Sequence, residues 1–393
     1  FFCYLINASR VHWQTELEIR LEDKDPEYRK KYLQAHKFCI DGELLSPEEI
    51  RDQKEHLINK MFAIGYLLHQ YKNRARPWAV FAIDNKISPE EESHGRSGKS
   101  FCFSALNIFK KSVTLAGRNP EITKNPHIYD RVTEYTDYIL VDDADRYLPF
   151  EFFYDTITGV MTVNPKNNQS YEIPFSKSPK FCFTSNFPLR NSDDSTEARV
   201  LYTAFSDYYH EKTERNNYKE TRKIADDFGK NLFDDYNEEE WNADLNFFAQ
   251  CLKFYLSVPS PRKIDAPLKD VTLRKLLADM GSNFKEWADV YFDPEGNHVN
   301  VCIVREEALE DFVKSTKTTR WTTNKFTKSL KSYCAYNGYT LNPKDLQNSQ
   351  GRITRKIEGT PKDMIYVKTK TIDPVELTEN NMKEKLKEDD KPF

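Results

Sequence analysis

The sequence lacks the features that would place it in a membrane, in a disulfide scaffold or around a zinc ion. No apolar run approaches the roughly 20 residues that a membrane-spanning helix needs, and no signal-peptide pattern is present. The seven cysteines are scattered singly with no Cys-x-x-Cys pair. That argues against a zinc site or a disulfide framework and for a reducing compartment. The eight histidines form no ligand-spaced pair either. Position 1 is Phe, not Met, which reads as a fragment whose natural start is missing.

What is there describes a globular chain. Of 393 residues, 38% are apolar, 13% aromatic and 31% charged. This suffices for packed cores under a charged surface, and the length suits about two to four folding units. The net charge of −4 is unevenly spread. Residues 301–372 hold 14 Lys/Arg against 7 Asp/Glu, a local +7, whereas the last 21 residues carry −3 and the first 300 about −8. A basic module on an acidic body points to nucleic-acid contact, with a merely solvated face as the alternative.

One stretch organises the chain: residues 93–100, SHGRSGKS. Gly95, Arg96, Ser97, Gly98, Lys99 and Ser100 form most of a phosphate-binding loop. In such a loop glycines let backbone N–H groups curl round phosphates, the lysine reaches the β- and γ-phosphates, and the last hydroxyl holds Mg²⁺. Ser93 replaces the loop's usual first glycine, and three acids, Glu90 to Glu92, precede it. Gly-Lys-Ser strings also occur by chance in turns, so the flanks decide. Ala79-Val80-Phe81-Ala82-Ile83 reads as a buried strand. Phe101, Ala105, Leu106, Ile108 and Phe109 recur at helical spacing, which puts Lys99 at the head of a helix.

Upstream, residues 1–76 read as a mainly helical unit, with a strand at 1–6 and a charged helical stretch at 16–37. Ser46-Pro47-Glu48-Glu49 marks a helix start with a capping box, and Ile50, Leu57, Met61, Ile64, Leu67 and Leu68 supply its apolar face. His12 and Trp13 read as packing residues.

Downstream, Ser112 to Ala116 is a second strand. Tyr138-Ile139-Leu140-Val141 is an apolar strand ending in Asp142 and Asp143. Behind a phosphate loop, one such acid holds the Mg²⁺ shell and its neighbour polarises water; the alternative is a solvated Asp-Asp-Ala-Asp turn. Residues 158–175 predict a hairpin with a polar tip. Lys180-Phe181-Cys182-Phe183 predicts a further strand, ending in Thr184-Ser185-Asn186. Asn186 is placed to bond a γ-phosphate and a water, or simply to end a strand.

These features, in this order, resemble the ATPase core of superfamily 3 helicases, in the variant carried by phage- and plasmid-type primase–helicases. The resemblance rests on the GRSGKS loop, the strand ending in Asp142-Asp143, the hairpin, and Thr184-Ser185-Asn186-Phe187-Pro188 followed by Arg199 and Phe205-Ser206-Asp207-Tyr208-Tyr209. It covers residues 79–210 well and the rest in outline. It implies an α/β P-loop nucleotide hydrolase of AAA+-like type that uses ATP and Mg²⁺. Lys99 and Ser100 would meet phosphate and metal, Asp142 and Asp143 would form the acidic pair with Asp142 on the metal, and Asn186 would sense the γ-phosphate. Arg199 would be an arginine finger reaching a neighbouring subunit, with Arg190 the runner-up. Lys166, with Asn167, would track DNA from the hairpin tip. The family further implies a homo-oligomeric, hexameric ring moving 3′→5′ on single-stranded or forked DNA. It implies a cytoplasmic setting, in a bacterial cell or encoded by a phage or mobile element, and a primase domain ahead of Phe1. This chain has no recognisable primase metal-binding acid cluster.

Beyond Phe205 the chain turns helical, with Phe247, Phe248, Leu252, Phe254, Tyr255 and Leu256 as a core face, and residues 257–267 read as a proline-rich linker. Helices follow near 271–280 and 306–314, with a hairpin around 293–297 between them. A helix at 322–336 turns Phe326, Leu330, Tyr333 and Cys334 inward and Lys325, Lys328 and Lys331 outward. A basic hairpin then runs from Arg352 to Ile357 and from Met364 to Lys368. This order predicts a winged helix holding DNA through Lys325, Lys328 and Arg352; the alternative is a small packing module. The expected division is 1–76 (helical collar or oligomerisation unit), 77–205 (ATPase core), 206–262 (helical lid), 263–372 (winged helix) and 373–393 (disordered charged tail). The expected function is an ATP-dependent replicative DNA helicase. The alternative is a nucleotide-switched DNA-binding initiator or loader that does not unwind.

Overall fold

The computed structural model describes residues 1–85, 96–119, 121–189, 194–214, 216, 218–259, 262–267, 276, 280–319, 321–357 and 359–369. Gly95, Arg190, the 271–280 helix apart from Leu276 and Met280, and the charged tail lie outside these residues. The chain forms two compact units, Phe1–Arg274 and Lys275–Phe393.

The first unit opens with α1 (Phe2–Asn7), a π-helical turn (Gln14–Arg20), α2 (Pro26–Ala35) and α3 (Pro47–Leu67). The expected strand at residues 1–6 is therefore a helix. Phe1, Tyr4 and Leu5 stand at i, i+3 and i+4, so a helical turn carries all three into one core, where they are buried. The capping box is present: Ser46 Oγ accepts from the Glu49 N–H at 3.3 Å, and Glu49 accepts from the Ser46 N–H at 2.7 Å.

There follow β1 (Ala79–Asp84), α4 (Lys99–Ser104), β2 (Ser112–Ala116), β3 (Tyr138–Ala144), α5 (Tyr154–Thr158), β4 (Met161–Val163), β5 (Tyr171–Ile173), β6 (Lys180–Ser185), α6 (Asp194–Arg199), β7 (Val200–Phe205), α7 (Ile224–Phe228) and α8 (Glu238–Ser257). Five strands form one parallel sheet in the order β2-β3-β6-β1-β7. β4 and β5 pair as the expected hairpin. Every residue of β1, β6 and β7 is buried, as two-sided coverage of parallel strands requires.

Alternate strand residues feed two cores. Val80, Ala82, Leu140, Cys182 and Leu201 face a core shared with α1, α3 and α8, while Phe81, Ile83, Val141, Phe183 and Tyr202 face a second one with Ile122, Phe150, Phe153 and Val163. Residues 1–76 thus share their core with the sheet. Gly65 lets α8 approach α3 closely: a Cβ there would lie 2.2 Å from the Cys251 carbonyl oxygen. On α8, Phe248, Cys251 and Tyr255 are buried, but Leu256 is 63% exposed, one helical step off the packed stripe. The helix that begins at Lys99 also differs from expectation. α4 tightens into a 3₁₀ turn at Ala105–Ile108, so Leu106 stays buried while Ile108 and Phe109 are turned outward.

The second unit contains α9 (Ser282–Tyr291), β8 (Cys302–Val304), α10 (Arg305–Thr316), α11 (Thr323–Asn337), β9 (Thr340–Leu341), β10 (Ile353–Ile357) and β11 (Thr360–Lys368). β10, β11 and β8 form an antiparallel sheet in that order, with β9 added to β11. The hairpin expected at 293–297 is instead a turn built by Asp293, which accepts from the N–H groups of Glu295 and Gly296. Strand β8 pairs with β11 and has no upstream partner among the described residues. On α11, Phe326, Leu330, Tyr333 and Cys334 are buried, and Gly338, in the left-handed conformation, ends the helix. All seven cysteines are free thiols. Among the described residues, no helix is long and apolar enough to cross a membrane.

Buried lysines, Lys60, Lys72 and Lys180, make this fold pH-sensitive, and Lys60 is the most enclosed of them. Lys60 of α3 is 0% exposed and donates to the carbonyls of Ala204, at 2.5 Å, and His56, at 3.3 Å. Burial pushes its ammonium down to about 7. The unfolded chain keeps that proton up to about pH 10, so between these values the unfolded state binds more protons and stability rises with pH. Urea unfolding across pH 6–10 should show this rise. Lys60→Met should make the rise shallower, with Lys72 and Lys180 supplying what is left, and stabilise the protein near pH 6 by about 1–3 kcal/mol; an unchanged slope would contradict the assignment.

Candidate functional site

The strand order reverses around β1, because the chain leaves β1 for the far edge, returns through β3 to β6, and then places β7 on the opposite side. In open parallel sheets, ligand sites form at the carboxyl ends of strands beside such a reversal. A cleft of about 440 Å³ lies there, lined by Arg96 to Phe101, Arg118, Asp142, Asp143, Thr184, Ser185, Asn186 and Ile224.

The loop residues Arg96 and Gly98 both have positive φ, at +81° and +89°. Gly98 is further constrained from the first helix: the Tyr4 hydroxyl donates to its carbonyl at 2.7 Å, and a Cβ at Gly98 would lie 2.6 Å from that hydroxyl. Lys99 heads α4 with its side chain turned inward. Its ammonium pairs with Asp84, at the end of β1, and donates to Ser97 Oγ at 3.1 Å and Asn186 Oδ1 at 3.0 Å. Ser100 Oγ donates to Asp142 Oδ1 at 2.6 Å.

Successive residues of a regular strand point to opposite faces, yet Asp142 and Asp143 both line the cleft. A bulge makes this possible. The register of β3 on β6 shifts between Val141 and Ala144, and Asp143 adopts φ +54°. Thr184 holds the bulge from β6, accepting from the Asp143 N–H at 2.8 Å and donating to Asp142 Oδ1 at 2.7 Å. Asp143 forms an ion pair with Arg118, and Asn186 Nδ2 approaches it at 3.4 Å. Gly117 brings Arg118 there: its N–H donates to the Asp142 carbonyl at 2.7 Å, and a Cβ on it would strike the Ala144 backbone.

The cleft thus gathers Arg96, Ser97, Gly98, Lys99, Ser100, Asp142, Asp143 and Asn186. Its donor set suits a polyphosphate with a hard divalent cation: one ammonium, a glycine-bearing loop, and a hydroxyl beside a carboxylate. Arg199 is not among the cleft-lining residues. It ends α6, donates to Ser195 and stacks over the Tyr154 ring at 4.7 Å. Lys166 and Asn167 are exposed at the tip between β4 and β5, Asn167 with φ +60°. In the second unit Lys325 and Lys328 are exposed on α11, Lys325 over the Trp321 ring, and Arg352 approaches Asp363 at 3.8 Å.

Sequence reasoning passed over four participants. Asp84 has no part in the sequence reading, although an acid closing the strand that leads to a Gly-Lys-Ser segment is a signal. Thr184 was quoted without a role. Arg118 follows a glycine at a strand end, a weaker signal, and Tyr4 gave none.

Comparison with known proteins adds little to this geometry. No protein-family model matches the chain, and no curated protein matches it. Forty-two chains of solved structures match. Two of them are A-form apo structures of the NrS-1 C-terminal region, at TM-scores of 0.38 and 0.36 and identities of 14% and 13%. Each alignment covers 80% of this chain, and 75% and 74% of the other. Function is therefore argued from the site's own residues.

The Tyr4–Gly98 contact yields a double-mutant test. Gly98→Ala should destabilise the protein by about 1–3 kcal/mol through positive φ and the Tyr4 clash. In a Tyr4→Phe background, which removes the nearest atom, the same substitution should cost measurably less in urea unfolding. Strict additivity would rule out the contact.

Proposed function

We propose that this chain binds ATP with Mg²⁺ in the cleft and couples hydrolysis to movement along DNA, as a ring-forming helicase of the superfamily 3 type. The observation that carries the reading is the convergence of Lys99 and Ser100, from the head of α4, with Asp142, Asp143 and Asn186, from the ends of β3 and β6.

Each residue has a defined task. Lys99 neutralises phosphate oxygens, and Ser100 with Asp142 would hold the cation. Bound Mg²⁺ would offset the negative charge of the phosphate chain. Asp143 polarises the attacking water and Asn186 orients it. Arg199 stands outside its own cleft, as a finger serving a neighbouring subunit would. The order β2-β3-β6-β1-β7, with the Asn186 strand between the phosphate-loop strand and the acid strand, supports an AAA+-like core.

The second unit runs helix, strand, two helices, then hairpin, with sheet order β10-β11-β8. That order supports the winged-helix reading. Lys325 and Lys328 on α11, with Arg352 at the hairpin, would meet phosphates, and Lys166 at the first unit's hairpin tip would follow a single strand.

The test is ATP turnover with single-stranded DNA for the wild type, Lys99→Ala, Arg199→Ala and an equal mixture of the two variants. Each variant alone should lose at least about 100-fold. The mixture should recover up to about a quarter of wild-type turnover, because random assembly in a closed ring leaves that share of sites intact. Turnover untouched by Arg199→Ala would remove the finger. Nucleotide binding without DNA-stimulated turnover would favour a DNA-bound nucleotide switch.

A further inference from the structure

A lysine ammonium has three N–H bonds, and the three on Lys99 already meet the Asp84 carboxylate, Ser97 Oγ and Asn186 Oδ1. Asp84 also accepts from Ser97 Oγ at 2.5 Å. Lys99 and Asp84 are each only 6% exposed. The position where a phosphate would be welcomed therefore already contains an anion seated on the lysine. This anion is fixed by the sheet: Asp84 is the last residue of β1, in register with Phe205 of β7, and both strands are fully buried. Its backbone cannot move away as that of an acid on a mobile loop could.

We propose that Asp84 is a resident counter-anion, competing with the phosphates of the incoming nucleotide for Lys99 and thereby setting the affinity of the cleft. The inference rests on the nucleotide-binding reading above and goes beyond it by assigning an affinity-setting residue. A phosphate oxygen reaches Lys99 only by displacing one of the present acceptors. If Ser97 or Asn186 is displaced, a neutral acceptor is lost but the phosphate comes to rest beside a carboxylate, and like charges repel strongly where water is scarce. If Asp84 is displaced, a nearly buried carboxylate is left with Ser97 as its remaining donor, which costs more. Both routes depend on the charge at residue 84. Asparagine there keeps an oxygen for Lys99 and Ser97 and removes the charge.

The 393-residue chain is titrated with a fluorescent ADP analogue in Mg²⁺, comparing wild type, Lys99→Ala and Asp84→Asn, each checked by thermal melting. Asp84→Asn should bind about tenfold tighter than wild type, with the KM for ATP falling in the same proportion, and Lys99→Ala should bind more weakly. Asp84→Ser is the second charge-removing variant should Asn at this position fail to fold, with the same expected direction. Wild-type binding with unchanged or weaker binding by the charge-removing variant overturns the inference and leaves the nucleotide reading standing. Binding by Asp84→Asn alone supports the inference in its strongest form. Binding by neither protein overturns both.

Discussion

Everything in the cleft depends on the placement of β1 between β6 and β7. Parallel pairing on both sides fixes where β1 ends, so Asp84 is a point on a rigid sheet. The same pairing sets the Asn186 end of β6 one strand away and the Asp142 end of β3 two strands away. Three strand termini therefore deliver an acid, an amide and a pair of acids to one place, and α4 delivers a lysine and a hydroxyl into their midst. Burial of all six β1 residues supplies the rigidity, through two cores that grip alternate side chains from opposite faces.

Local deviations from regular geometry then adapt this frame. The bulge in β3 lets two consecutive aspartates line one cleft, and it persists because Thr184 satisfies both its free N–H and the first carboxylate. Positive φ at Arg96 and Gly98 turns the loop, and Tyr4 fastens that loop to the N-terminal helices. The N-terminal segment is consequently part of the site's support, since its core is also the sheet's core.

Much of this was legible in the chain. Uninterrupted apolar runs gave away the central strands, and the capping box at Ser46 placed the start of α3. The 3.6-residue spacing on α11 sorted Phe326, Leu330, Tyr333 and Cys334 from the lysines. What escaped was decided between segments distant in sequence. Phe1 to Ile6 fits strand and helix patterns alike, and only the core it joins selects the helix. The Asp84–Lys99 pair spans a loop whose sequence says nothing of closure, and Tyr4 meets Gly98 across 94 positions. The bulge needs the register of β3 on β6, which no single strand encodes. Leu256 falls outside because Phe254, Tyr255 and Leu256 are consecutive, and three consecutive residues of a helix cannot share one face.

Calorimetric titration of the whole chain with ATP, once in Mg²⁺ and once in EDTA, is the most direct test that this cleft is a nucleotide site. One saturable site per chain is predicted, weakened without the cation and lost in Lys99→Ala. Equal binding by Lys99→Ala, or no binding by the wild type, would contradict it.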